Sequence, residues 1–160
     1  MFDITKIRAD FPILNETVNE QPLVYLDSAA TSQKPQAVIN ALSRFYSHEN
    51  ANVHRGRHTL SENATRNYEQ TRTLLADYFS VKSNEIVWTK GATESINLIA
   101  NGLASRLNPG DKIALSAIEH HANIVPWQQL AQRTGAEVII LPIENDLTIN
   151  SVHCSEFIKQ

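Results

Sequence analysis

Trp88-Thr89-Lys90-Gly91-Ala92-Thr93-Glu94-Ser95-Ile96-Asn97-Leu98 passes from a β-rich run into an apolar-periodic helix across a single glycine. Residues 85–89 read as the end of a buried strand, and the periodicity after Thr93 reads as a helix to about Leu107. A tight turn between them aims the unpaired N–H groups of a helix's first turn, and the positive end of its dipole, at one point. Such a point holds an anion, most often a phosphate. Gly91 is expected there because a Cβ would block the sharp turn or the close approach of an oxyanion. Thr93 can cap the helix and offer its hydroxyl to the same anion. An ordinary strand–helix connection with a threonine cap accounts for these residues equally well, so the weight falls on what surrounds them.

Downstream the rhythm repeats. Asn108-Pro109-Gly110-Asp111 makes a turn, Lys112–Ser116 a strand, and Glu119–Asn123 a polar turn. Pro126 suits the first turn of a helix closing at Gly135, and residues 137–141 form another β-rich run. Strands alternating with helices predict an α/β fold with a mostly parallel sheet flanked by helices. In such sheets ligands bind beyond the carboxyl ends of the strands, where both Gly91–Glu94 and Glu119–Asn123 fall. Upstream, Ile4, Ile7, Phe11 and Leu14 mark an amphipathic opening, followed by an irregular stretch to Pro22. Leu23-Val24-Tyr25-Leu26 suits a short strand, breaking into the small, polar loop Asp27-Ser28-Ala29-Ala30-Thr31-Ser32. Pro35 opens a helix carrying Val38, Leu42 and Phe45, and Thr59 with Glu62 forms a capping-box pattern before a long helix to about Phe79. Beyond residue 145 no strong strand follows, and residues 155–160 resemble a helix cut short. The organisation expected is an N-terminal segment, 1–22, and an incomplete domain, 23–160.

The 160 residues suffice for one sizeable core, and 42% hydrophobic with 19% charged residues is the balance of a soluble globular protein. A net charge of −3 gives no reason to expect nucleic acid or an acidic membrane as partner. No apolar run approaches the roughly 20 residues of a membrane span. The start, Met1-Phe2-Asp3-Ile4, lacks the layout of a signal peptide, and one cysteine, Cys154, suits a reducing cytoplasm. Cys154 has no activating helix or base in view and reads as non-catalytic.

A histidine in Glu119-His120-His121-Ala122-Asn123 could stack on a flat cofactor or exchange a proton near neutral pH. A capped surface turn is the plain alternative. His54-Arg55-Gly56 sets a titratable ring beside a fixed cation that could hold a carboxylate or phosphate in two-pronged fashion. Zinc on His54, His58, His120 and His121 is a weaker option: adjacent side chains diverge, and Arg55-Gly56-Arg57 argues against a helix that would align His54 with His58. No metal is expected.

Tyr25-Leu26-Asp27-Ser28-Ala29-Ala30-Thr31-Ser32-Gln33-Lys34-Pro35, Asn52-Val53-His54-Arg55-Gly56 and His58-Thr59-Leu60-Ser61 resemble, in order and spacing, the cysteine desulfurases of the SUF type. The likeness continues through Gly91–Leu98 and Glu119–Trp127, covers nearly all of residues 1–143, and extends to the selenocysteine lyases. It implies the front part of a fold type I, class V aminotransferase-like large domain that uses pyridoxal 5′-phosphate. By motif, Ala92 and Thr93 would hold the phosphate and His120 would stack on the pyridine ring. Ala29 and Ala30 would lie in a loop beside the active site, with His54 and Arg55 near it. Ala92 stands where many relatives have a threonine, which removes one hydroxyl and keeps the backbone donor.

The resemblance also implies homodimers that take sulfur from L-cysteine, or selenium from L-selenocysteine. Alanine is left, and the sulfur passes to an acceptor protein for iron–sulfur cluster assembly. The family's Schiff-base lysine, its aspartate facing the pyridine nitrogen and its persulfide cysteine match nothing here. Lys90 precedes the phosphate turn and cannot replace the lysine. No catalytic residue is therefore expected within the chain, and the isolated chain is expected to be inactive. Two other classes remain open: a non-catalytic, self-associating folding or interaction unit, and a metal hydrolase built on the four histidines.

Overall fold

In the computed structural model, which describes residues 2–146, 148, 149, 154 and 155, the backbone gathers into two units, Met1–Ile86 and Val87–Gln160. In the first, Asp3 starts α1 (Ile4–Ala9) by accepting the Lys6 N–H at 3.1 Å. The irregular stretch expected before Pro22 contains a small antiparallel hairpin, β1 (Thr17–Val18) with β2 (Gln21–Pro22). Asn19 and Glu20 both turn at positive φ (52° and 65°), the backbone hand that matches the twist of paired strands.

The strand expected over Leu23–Leu26 does not form. A strand exists only through its ladder, and apart from the Leu23 N–H, which donates to the Glu16 carbonyl at 2.9 Å, no strand of the described residues pairs with this segment. Val24 and Leu26 stand 75% and 91% exposed in consequence. The loop that follows is tight as expected. The Tyr25 hydroxyl is shared between the carbonyls of Asp27 (3.0 Å) and Thr31 (2.5 Å), and Ala30 N–H closes onto the Asp27 carbonyl.

Pro35, whose fixed φ suits a helix start, precedes α2 (Gln36–Arg44), which loosens into a π-turn over Phe45–Glu49. The long helix α3 (Thr59–Phe79) ends where the periodicity placed it, closed by Ser80 at φ 56°. Its cap differs from the expected one. His58, not Thr59, precedes the first turn and accepts the Ser61 N–H on Nδ1 at 3.4 Å. A ring nitrogen thus does what a threonine hydroxyl was expected to do, one residue earlier.

The strand expected over residues 85–89 does not form either: Glu85 closes a 3-10 turn (Ser83–Glu85), no ladder runs through 86–89, and Val87 is 66% exposed; the second unit then opens into its first helix. Helix α4 (Ala92–Leu103) begins one residue before Thr93 and passes into a 3-10 turn over Ala104–Arg106. Then come β3 (Lys112–Ser116), α5 (Val125–Thr134) and β4 (Glu137–Leu141). The two strands run parallel, from Lys112 opposite Glu137 to Ser116 opposite Leu141. Gly135 ends α5 at φ 76°, and its carbonyl accepts the Gly110 N–H at 3.0 Å. Glu137 N–H reaches the Asp111 carbonyl at 2.8 Å, so the two strand-opening turns are stitched together. The core of this unit is Ala100, Leu115, Leu130, Ala131 and Ala136. Hydrogen bonds from the Thr148 hydroxyl and N–H hold the Asp146 carboxyl below the usual carboxylate range.

The helix expected over 155–160 lies outside the described residues except for Ser155, which is helical with a buried Cys154. Among the described residues no helix is long and apolar enough to cross a membrane.

Candidate functional site

Helix α4 starts on an extended Gly91 (φ 158°, ψ 177°) with no side chain capping its first amides. The local bonds close around that point rather than over it. Glu94 Oε2 accepts the Lys90 N–H at 2.5 Å, and the Thr89 and Ser95 hydroxyls meet at 2.7 Å. The first bond inside the helix runs from Ser95 N–H to the Gly91 carbonyl at 3.1 Å. The N–H groups of Ala92 and Thr93 are therefore directed ahead of the helix with no side-chain acceptor. A Cβ built on Gly91 meets no atom of the described residues within 4 Å other than its chain neighbours. The steric reason for glycine is thus not crowding by the protein itself. The space above it is open, as a cradle for a ligand must be.

The second half of the site is the turn after β3. His120 precedes a 3-10 turn over His121–Asn123 and accepts the Ala122 N–H on Nδ1 at 3.2 Å. That bond fixes the direction in which the imidazole points. The turn is braced by a polar chain. The Ser116 hydroxyl donates to Glu119 Oε1 (3.2 Å), Asn123 Nδ2 donates to Glu119 Oε2 (2.9 Å), and Trp127 Nε1 donates to Asn123 Oδ1 (2.8 Å). The end of β3 is thereby tied to the first turn of α5.

These two parts share a cleft of about 250 Å³, lined by Thr93 and Asn97 from α4, His121 and Ala122 from the turn, and Val125 and Gln129 from α5. Thr93 and His121 face one space. His120, the residue expected to stack on a ring, lies with its own ring 4.1 Å from that of His121 at an angle of 37°. Both rings are exposed. Asn97 and Gln129 carry no sequence motif; their place follows from helical spacing, Asn97 one turn after Thr93 and Gln129 one turn after Val125.

The remaining candidates stand in the first unit. Ala29 and Ala30 occupy the exposed tight turn held by Tyr25. His54 and Arg55 belong to a loop pinned to the start of α3. The buried Ser61 hydroxyl donates to the Asn52 carbonyl (2.5 Å) and accepts the Gly56 N–H (3.1 Å), while Thr65 Oγ1 accepts the His54 N–H (2.9 Å). His58 is engaged as the α3 cap. Among the described residues no group of three or more His, Cys, Asp or Glu side chains is placed to hold a metal ion.

A donor set of open amides, one hydroxyl and an imidazole ring fits a phosphorylated, flat cofactor. Amides and the helix dipole take the phosphate, glycine leaves room for it, and an aromatic ring is at hand for stacking. The model of the family Aminotransferase class-V matches residues 24–160. A probable cysteine desulfurase of Vibrio cholerae is 54% identical over 145 residues, covering 89% of this chain and 36% of the relative. One of Mycolicibacterium paratuberculosis is 51% identical over 147 residues, covering 91% and 22%. Among solved structures, the apo cysteine desulfurase of Thermococcus onnurineus superposes with a TM-score of 0.87 at 37% identity, over 96% of this chain and 37% of that one. A cysteine desulfurase of Escherichia coli gives 0.82 at 42% identity, over 98% and 39%. The chain thus spans between 22% and 37% of the length of the curated relatives it matches.

Proposed function

The chain belongs to the aminotransferase class-V family and carries part of its fold type I α/β architecture, and on that premise we propose that it is the phosphate-cradling portion of a pyridoxal-phosphate-dependent cysteine desulfurase. The observation that carries the reading is the uncapped first turn of α4 over the open Gly91, sharing one cleft with the turn after β3. Ala92 and Thr93 N–H groups and the Thr93 hydroxyl would take the phosphate oxygens, and His120 would lay its ring against the pyridine. Pyridoxal 5′-phosphate, when bound, supplies the electron-withdrawing ring on which bonds to the substrate carbons are broken. Ala29 and Ala30 offer close-approaching backbone, and Arg55 a fork for a carboxylate. Residues 1–22 would form an N-terminal segment and 23–160 an incomplete cofactor-binding large domain.

The whole protein would act in the cytoplasm as a homodimer on L-cysteine or L-selenocysteine and pass sulfur to an acceptor protein for iron–sulfur cluster assembly. The isolated chain, with no match to the family's lysine and persulfide cysteine, would bind without turnover. Thr93→Val is expected to weaken pyridoxal 5′-phosphate binding to the chain by about 10- to 100-fold, since one bond to a charged acceptor is worth roughly 1.5–3 kcal/mol and tenfold is about 1.4. Equilibrium dialysis reads this directly, and an affinity equal to the unaltered chain's would remove Thr93 from the phosphate site.

A second reading is favoured by the exposed apolar side chains of Val24, Leu26 and Val87 and by a parallel sheet of only two strands among the described residues. Such surfaces drive self-association. Light scattering should show mass growing with concentration between low micromolar and millimolar chain. A constant monomer mass over that range rules the reading out.

A further inference from the structure

We propose that Glu69 is a positioning residue: it fixes the proton of His54 on Nε2 and leaves Nδ1 as an open acceptor for the ammonium, hydroxyl or thiol of a bound ligand. The proposal stands on the first unit alone and does not depend on the desulfurase reading.

His54 adopts φ 68°, a left-handed conformation that few residues other than glycine take up, and one that clusters at functional sites when the surroundings enforce it. The surroundings do enforce it. Its N–H is held by Thr65 Oγ1 at 2.9 Å, and its ring stands edge-on to Tyr68, with centroids 5.3 Å apart and planes at 90°. Nε2 lies 2.7 Å from Glu69 Oε1. An ionised carboxylate has no proton to give, so the hydrogen between them is on the imidazole. A lone pair on Nε2 facing that oxygen would be repelled.

Glu69 is itself clamped. Its Oε2 lies 3.3 Å from Arg72 Nε, and Arg72 also donates to the Ile86 carbonyl and to the Tyr68 hydroxyl, with its guanidinium 5.4 Å from the Tyr68 ring centre. The His54 and Glu69 side chains are 52% and 46% exposed, where an ion pair adds little stability. What the arrangement achieves is orientation. It copies the logic by which a carboxylate sets the tautomer and direction of a histidine so that the opposite nitrogen takes a proton.

Nitrogen-15 NMR of the chain labelled in its histidine rings tests this, above the pH at which imidazoles are protonated, with the His54 signals identified by their loss in His54→Gln. The expected spectrum shows Nδ1 unprotonated and a downfield, slowly exchanging Nε2 proton close to Glu69. In Glu69→Gln that slow proton should disappear and the nitrogen shifts should move toward those of a free imidazole, with the helical signal of α3 retained. A role in stability alone would leave the ring shifts where they were. A proton on Nδ1 in the unaltered chain overturns the proposal, as does a slow Nε2 proton surviving in a folded Glu69→Gln. Should that variant not fold, the unaltered chain decides: Nε2 protonation with magnetisation transfer to Glu69 supports it, and its absence overturns it.

Discussion

Gly56→Ala is expected to destabilise the first unit by about 2–4 kcal/mol, seen as a lower urea midpoint at unchanged slope. A Cβ on Gly56 would sit 2.2 Å from Ser61 Oγ and 2.3 Å from Ser61 Cβ, far inside contact distance. Ser61 is fully buried and cannot swing away. Moving it breaks the bonds by which its hydroxyl ties the Asn52 carbonyl and the Gly56 N–H to α3. The cost therefore has two parts, overpacking of roughly 1–3 kcal/mol and buried polar groups left short of partners at roughly 1–3 each. Against a typical total of about 5–15 kcal/mol the effect is large. It should also release the His54–Arg55 loop, so amide exchange at residues 52–58 should rise before the rest of the unit opens. An unfolding free energy within about 0.5 kcal/mol of the unaltered chain's would mean that the Gly56–Ser61 contact does not govern this loop.

Leu130→Ala should cost the second unit about 2–5 kcal/mol, the range for a large-to-small change in a core that cannot fully collapse. Leu130 is the largest completely buried apolar side chain among the described residues, with 0% of its surface exposed. It lies on α5, which packs against α4 and β4. Emptying its place loosens the helix that carries Gln129 into the candidate cleft and that Arg133 links to Asn101 at 2.9 Å. Leu130→Met, which nearly conserves volume, should cost less than about 1.5 kcal/mol. Thermal unfolding of the two variants side by side makes the comparison. Equal melting temperatures for Leu130→Ala and the unaltered chain would place the core elsewhere.

The sequence alone made most of the local frame legible. Helix α3 runs to Phe79 as its periodicity implied, and β3 and β4 span the residues their β-rich runs marked. Gly91 opens a helix, and Glu119–Asn123 is a turn beyond a strand. These features follow from interactions within a few residues of each other: caps, turns and the spacing of apolar side chains. The motif resemblance led to the family that the comparisons bear out. The polar stripe Ser61, Thr65, Glu69 and Arg72 went unread, although its spacing of three and four residues puts it on one face of α3. A search for apolar periodicity passes over a face whose contacts are hydrogen bonds.

Tertiary structure decided the rest. Leu23–Leu26 and residues 86–89 have strand composition and yet form no ladder, because a strand is completed by a neighbour's backbone, which no local pattern encodes. Which of two adjacent histidines lines the cleft with Thr93 depended on a 3-10 turn and on the Nδ1 bond that holds His120, and it is His121 that does. His54 acquired its partner from Glu69, fifteen residues along the chain, only when α3 folded beside its loop. Sequence thus determined the elements and the chemistry they bring, while the three-dimensional fold determined which side chains share a space, since only folding brings residues distant in the chain within bonding reach.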